Sequence, residues 1–157
     1  MVKRPIFKEA LKSELMLVGK DFFKRDIYLE ENTHNAWLEL QKKAHTDNVK
    51  LHIVSGFRSY QYQRGIIERK LANGMTLAQI SKVNALVGES EHHTGCAIDF
   101  TTDNEVEVLT EDFETTRAFK WLQNNAKDFG FMMSFPRNNK YGFIYEPWHW
   151  CYKDEDR

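Results

Sequence analysis

The feature that most constrains this chain is a pair of histidine–carboxylate blocks lying far apart in sequence. The first runs Ser90-Glu91-His92-His93-Thr94-Gly95-Cys96-Ala97-Ile98-Asp99, and the second Glu146-Pro147-Trp148-His149. His92 and Asp99 are seven positions apart, and His149 follows Glu146 by three. Two imidazoles and one carboxylate are a standard ligand set for a catalytic zinc, with the fourth position left to water. A further carboxylate is then needed to take a proton from that water. Any fold that uses the set must bring Asp99 and His149, fifty positions apart, to one point. The leading expectation is a zinc hydrolase.

The pattern between the blocks alternates helices with strands. Trp37, Leu38, Leu40 and Ala44 give helical spacing over Asn35–Ala44, and Leu51–Val54 reads as a short strand. Ser59 can cap a helix over Gln61–Leu71, which Asn73-Gly74 would end, and Thr76 can cap a second over Leu77–Val83. Cys96–Thr101 reads as a strand and Glu111–Phe129 as one long helix stopped by Gly130. Phe131–Met133 and Gly142–Tyr152 read as a final strand pair, with Pro136–Lys140 in its loop. The expected class is α+β: a small, mainly antiparallel sheet carries the zinc site and helices flank it.

On such a sheet Asp99 and His149 can point to one face, and His92 can reach them from the preceding loop. Pro147 bends the chain between Glu146 and His149, which would leave the Glu146 carboxylate beside the water rather than on the metal. Arg58, in Ser55-Gly56-Phe57-Arg58-Ser59-Tyr60, emerges just after a strand. That is a good position for the cation a developing oxyanion wants. His93 competes with His92 for the ligand role, but the spacing to Gly95 and Asp99 favours His92. His34, His45 and His52 read as structural or surface residues. Asp103-Asn104-Glu105 reads as a polar turn, since it lacks the alternating carboxylates and glycine of a calcium loop.

Composition excludes more than it identifies. With 22 basic and 23 acidic residues the net charge is −1, which gives no electrostatic case for nucleic acid or an anionic membrane. No apolar run approaches the roughly 20 residues of a membrane span, and the N-terminus does not read as a signal peptide. The compartment is expected to be cytoplasmic if the chain is complete, and periplasmic or facing the cell wall if a leader was removed. One domain over residues 1–157 is expected, and a monomer is the default. Lys153–Arg157 reads as a short solvated tail. Strand alternation would point Cys96 and Cys151 to opposite faces, so no disulfide is expected between them.

Three blocks in order resemble the D-alanyl-D-alanine carboxypeptidase family of zinc peptidases, which includes the vancomycin-resistance carboxypeptidases. They are Ser55-Gly-Phe-Arg-Ser-Tyr-x-x-Gln63, Ser90-x-His-x-x-Gly-x-Ala-x-Asp99 and Glu146-Pro-Trp-His-Trp150. The likeness extends over roughly residues 27–152. It implies that His92, Asp99 and His149 ligate zinc and that Glu146 is the general base and acid. It implies that Arg58 polarises the scissile carbonyl, and that Ser90 and Gln63 hold the substrate near its C-terminal carboxylate. The implied fold is the one shared with hedgehog signalling domains and lysostaphin-type endopeptidases. The implied reaction removes a C-terminal D-amino acid from a peptidoglycan stem peptide or precursor, as a D,D- or an L,D-carboxypeptidase. A peptidoglycan endopeptidase cutting L-Ala–D-Glu, or a metal-containing binding module without turnover, are the competing readings. Two departures stand out, the first bearing on a loop conformation and the second on substrate preference. Val87 stands where relatives often carry proline before Gly88, and Ser134-Phe135 stands where they often carry Arg-Tyr.

Overall fold

Alternation along one central strand decides where the core lies and where the site lies. The computed structural model describes residues 2–103 and 106–153; Asn104 and Glu105 of the polar turn and residues 154–157 of the charged tail fall outside it. Strands β1 (Leu15–Lys20) and β2 (Asp26–Glu30) form an antiparallel hairpin, followed by α1 (Glu31–Thr46) and β3 (His52–Ser55). Then come α2 (Tyr60–Ala72), α3 (Leu77–Val83), β4 (Ala97–Thr101), α4 (Arg117–Asn125), β5 (Phe131–Met133) and β6 (His149–Tyr152). The second sheet has the order β3-β4-β6-β5, and every neighbouring pair is antiparallel. The α+β expectation holds.

All five residues of β4 are buried, and they divide by parity. Ile98 and Phe100 join Trp150 and Phe131 in the main apolar cluster, which Trp37 and Leu40 of α1 and Phe119 and Leu122 of α4 cover. Trp37 lies 5.6 Å from Phe100 and Phe119 lies 6.4 Å from Trp150, ring centre to ring centre. Each such side chain, fully buried, contributes on the order of 1.5–3 kcal/mol. Asp99 alternates to the other side, which is the side of the site.

The local chemistry at the element ends is as the sequence suggests in places and different in others. Ser59 and Thr76 cap α2 and α3, accepting from the amides of Tyr62 and Gln79. The long helix expected over Glu111–Phe129 is instead a 3-10 turn (Glu111–Thr115), α4, and a second 3-10 turn (Ala126–Phe129). Thr116 makes the break: it is extended, and its hydroxyl accepts from the Phe119 amide while donating to the Phe113 carbonyl. A threonine that caps in this way offers the backbone an alternative to continuing the helix. The final strand is short as well, with β6 starting only at His149. The β1–β2 hairpin has no counterpart in the sequence reading. Its turn is closed by the Asp21 carboxylate, which accepts from the amides of Phe23 and Arg25.

Cys96 and Cys151 are both buried and neither is in a disulfide, as expected. The geometric reason offered for this does not hold, because both pack into one small cluster with Ala97. Cys96 precedes β4, directly after the left-handed turn at Gly95, so strand alternation does not reach it.

Candidate metal centre

The register of β4 against β6 puts Asp99 directly opposite His149. His92 comes from a single 3-10 turn, Glu91–Thr94, which Ser90 starts by accepting from the His92 amide and Gly95 ends at φ 76°. A side chain at 95 is doubly disfavoured: the backbone is left-handed, and a Cβ there would lie 2.9 Å from the Glu30 amide nitrogen. The glycine lets the chain turn from His92 into β4 while packed on the start of α1.

Among the described residues, one group of histidines and acids can hold a metal ion. It comprises His92, Asp99 and His149, all buried, with one donor atom from each lying within 4.8 Å of the others. His92 Nε2 is 3.2 Å from Asp99 Oδ2, and His149 Nδ1 is 3.1 Å from Asp99 Oδ1. The outer nitrogens are committed elsewhere. His92 Nδ1 lies 2.7 Å from the Gly56 carbonyl, and His149 Nε2 lies 2.8 Å from Glu91 Oε1. Each ring is thereby turned so that its other nitrogen faces the third ligand. This is the outer arrangement that metal-binding histidines almost always have. Bond lengths of about 2.0–2.2 Å set zinc donors roughly 3.3–3.6 Å apart in a tetrahedron. The three donors fit that ion with small adjustment.

The charges follow from these contacts. Burial opposes ionisation of Asp99, but the charge of His92 and the hydrogen bond from His149 hold it well below the usual carboxylate range. Burial pushes His92 down. Burial also works against a charged His149, yet its bonds to Asp99 and Glu91 raise it to about 10. Burial works against the charge of Glu91, but the hydrogen bond and charge of His149, with Ser134 and Lys153 adding to them, together hold it at about 2.

Glu146 lies at the edge of a cleft of about 360 Å³ that all three candidate ligands line. Burial raises its carboxyl to about 7, against the opposing charge of His149. Arg58 lines the same cleft. Its guanidinium is 3.2 Å from Asp99 Oδ2 and 2.8 Å from Ser55 Oγ, and its backbone amide donates to the His92 carbonyl. Ser90 and Gln63 are buried and line the cleft too. Gln63 Nε2 donates to the Ala85 carbonyl at 2.7 Å, while its Oε1 is buried with no protein partner. All seven residues singled out in the sequence therefore meet at one cleft.

His93 does not line it. Its Nδ1 lies 2.8 Å from the Arg58 carbonyl and its Nε2 accepts from the Gly88 amide, so the ring staples two loops beneath the site. The sequence reading passed over Glu91, whose only signal was its place beside His92. It also passed over Lys70, which lines the cleft from α2, while Phe135, noted there as a departure from relatives, lines the cleft with its ring 4.6 Å from that of His149.

The family model described as VanY, D-alanyl-D-alanine carboxypeptidase, matches residues 26–155. The chain belongs to this family. It is 34% identical over 128 residues to YodJ, a carboxypeptidase by name, of Bacillus subtilis (strain 168). That match covers 80% of this chain but 46% of YodJ, so the chain spans less than half of that relative's length. It is 29% identical over 141 residues to the bifunctional D-Ala-D-Ala dipeptidase and carboxypeptidase VanXYC of Enterococcus gallinarum, covering 87% of this chain and 73% of that one. The solved structure of the LdcB LD-carboxypeptidase superposes with a TM-score of 0.82 at 30% identity, over 91% of this chain and 69% of LdcB. VanYB, solved with D-alanine-D-alanine, shares the fold at a TM-score of 0.74 and 24% identity, over 99% of this chain and 86% of VanYB. Among the described residues no helix is long and apolar enough to cross a membrane.

Proposed function

We propose that residues 1–157 form one catalytic domain that removes a C-terminal D-amino acid from peptidoglycan stem peptides or their precursors, with zinc as cofactor. The observation that carries this is the convergence of His92 Nε2, Asp99 and His149 Nδ1, with Glu146 and Arg58 on the same cleft. Family membership and the relatives' names supply the substrate class. A VanY enzyme of the same fold has been solved with Zn(II), at 24% identity to this chain.

Zinc supplies Lewis-acid polarisation of the scissile carbonyl and makes water acidic near neutral pH. The residues of the chain do the rest. Glu146 takes the proton of the attacking water and returns it to the leaving amine. Arg58, fixed between Ser55 and Asp99, is aimed by two hydrogen bonds and offers its remaining N–H groups to the oxygen on which negative charge develops. Gln63 Oε1 is an acceptor awaiting a donor, which a substrate peptide N–H provides. Ser90 Oγ spends a lone pair on the His92 amide and keeps its O–H for a substrate oxygen.

Cleavage at the chain end needs a cation for the free carboxylate, and Lys70 supports that reading. It sits seven residues after Gln63 on α2, two helical turns along the same face. Its ammonium bonds Asn84 Oδ1, the residue next to Ala85, which holds Gln63. No carboxylate among the described residues lies within ion-pair reach of it.

The test is mass analysis of products from synthetic stem pentapeptide and tetrapeptide, with Glu146→Gln as control. Loss of one alanine from the pentapeptide alone assigns D,D-specificity, and loss from the tetrapeptide assigns L,D-specificity. Internal fragments would assign an endopeptidase instead. No cleavage of either peptide by the zinc-loaded protein would refute the carboxypeptidase reading.

A further inference from the structure

The segment before β1 runs along the rim of the cleft, and one buried guanidinium on it ties three cleft-forming segments together. Residues 2–25 precede the part of the chain matched by the family. Phe7 donates to the Gly88 carbonyl, Ala10 to the His93 carbonyl, and Glu9 accepts from the Tyr60 amide at the start of α2. Arg4 lies further in, its side chain only 9% exposed. Its Nε donates to the Tyr141 carbonyl at 2.9 Å. One terminal nitrogen reaches Ser81 Oγ at 2.8 Å and Glu89 Oε2 at 3.4 Å, and the other reaches the Ser81 carbonyl at 2.7 Å. The planar group also stacks on Phe143, 3.6 Å from the ring centre.

Glu89 and Phe143 both line the cleft. Phe143 packs on Phe135 at 4.8 Å, and Phe135 on His149 at 4.6 Å. A continuous contact therefore leads from Arg4 to one of the proposed metal ligands. Lysine cannot replace this network, because a point charge does not reach four directed acceptors while stacking on a ring.

We propose that Arg4 is a positioning residue of the substrate cleft, fixing the wall formed by α3, the loop around Glu89 and the loop around Tyr141–Phe143. It touches no reacting atom. Its loss loosens the wall, so peptide binding weakens while the chemical step on bound peptide persists.

The effect on peptide binding rests on the carboxypeptidase reading above; the effect on the wall does not. Hydrogen exchange is therefore measured on the zinc-loaded protein, with and without Arg4→Met. Faster exchange, by at least about tenfold, is expected at the amides of Glu89, Gly142 and Ile144, with the Phe100 amide in the core unchanged. On stem peptide, KM rises by about tenfold and kcat stays within about twofold. Unchanged exchange at those three amides overturns the proposal. Faster exchange with unchanged KM overturns the link to the cleft. Should Arg4→Met not fold, Ser81→Ala removes one acceptor of the guanidinium at a residue that does not line the cleft, and is read in the same way. A parent protein that cleaves no peptide refutes the function and leaves the exchange result to decide the role of Arg4.

Discussion

Zinc affinity should depend on pH in a way that the bonds of His149 fix in advance. In the metal-free protein both ring nitrogens have a carboxylate acceptor, Asp99 Oδ1 at 3.1 Å from Nδ1 and Glu91 Oε1 at 2.8 Å from Nε2. The ring is held as imidazolium, with its pKa raised to about 10. A metal ion needs Nδ1 bare. Loading below about pH 10 must therefore expel one proton. His92, pushed down by burial, and Asp99, far below the usual range, expel none near neutrality or above. From about pH 7.5 to about 9.5 the His149 proton by itself should raise the apparent association constant for zinc tenfold per pH unit, or about a hundredfold in total, which is 1.36 kcal/mol per unit, and ionisation of a bound water can only steepen that slope. Chelator competition across that range measures the slope, and calorimetry in two buffers of different ionisation enthalpy counts the proton. In Glu91→Gln the ring loses one of its two anions, so the break in the profile moves down from about 10 and the slope flattens above it. A flat profile for the unaltered protein would show that no proton sits between Asp99 and Glu91, and would refute this account of the site.

Three further outcomes follow from single side chains. Arg58→Lys should lower kcat about a hundredfold with little change in zinc content, because one ammonium cannot bridge Ser55 and Asp99 and still face the substrate. Steady-state kinetics beside metal analysis will check this. Gly95→Ala should destabilise the fold by about 1–3 kcal/mol in denaturant melts, since φ is 76° and the new Cβ would press on the Glu30 amide. Lys70→Met should raise KM for a peptide with a free C-terminus and leave unchanged any turnover of the C-terminal amide; equal effects on both would remove Lys70 from carboxylate recognition.

The candidate site was more legible in the sequence than the fold around it, and the reason is physical. Metal ligands and a base must be particular residue types at particular spacings, so Ser90–Asp99 and Glu146–His149 leave a signature that no packing arrangement erases. The caps at Ser59 and Thr76 are local and were readable in the same way. The break at Thr116 depends on whether its hydroxyl turns to the Phe119 amide or to solvent, a choice made by tertiary packing. The β1–β2 hairpin was missed because exposed Met16 and Leu17 interrupt the alternation that marks a half-buried strand. The partner of His92 Nδ1 is a backbone carbonyl, at Gly56, and a carbonyl has no residue signature at all. Gly56 does carry one trace of its position: a Cβ there would lie 2.7 Å from Ile27 and 2.9 Å from the Tyr28 carbonyl, so the hairpin can close over the site only if that residue is glycine.

The proton expelled from His149 also bears on the base. Exchanging one proton for a divalent ion adds one positive charge to a cleft that Glu146 shares with all three candidate ligands. In the metal-free protein burial holds the Glu146 carboxyl up at about 7, so it is half protonated at neutral pH and a poor base. A nearby positive charge favours the ionised form and lowers that value. The sign is then determined: with the ionised Glu146 carboxylate as the proposed base, kcat/KM rises with pH through its pKa, and in the zinc-loaded protein that rise must be centred below about pH 7. The two titrations are thus coupled through the metal, which the protein binds more tightly as His149 gives up its proton and which in turn readies Glu146 to accept one. A rising limb centred at or above 7 in fully loaded enzyme would mean that the ion and Glu146 do not feel one another, and would separate the base from the site in which the structure places it.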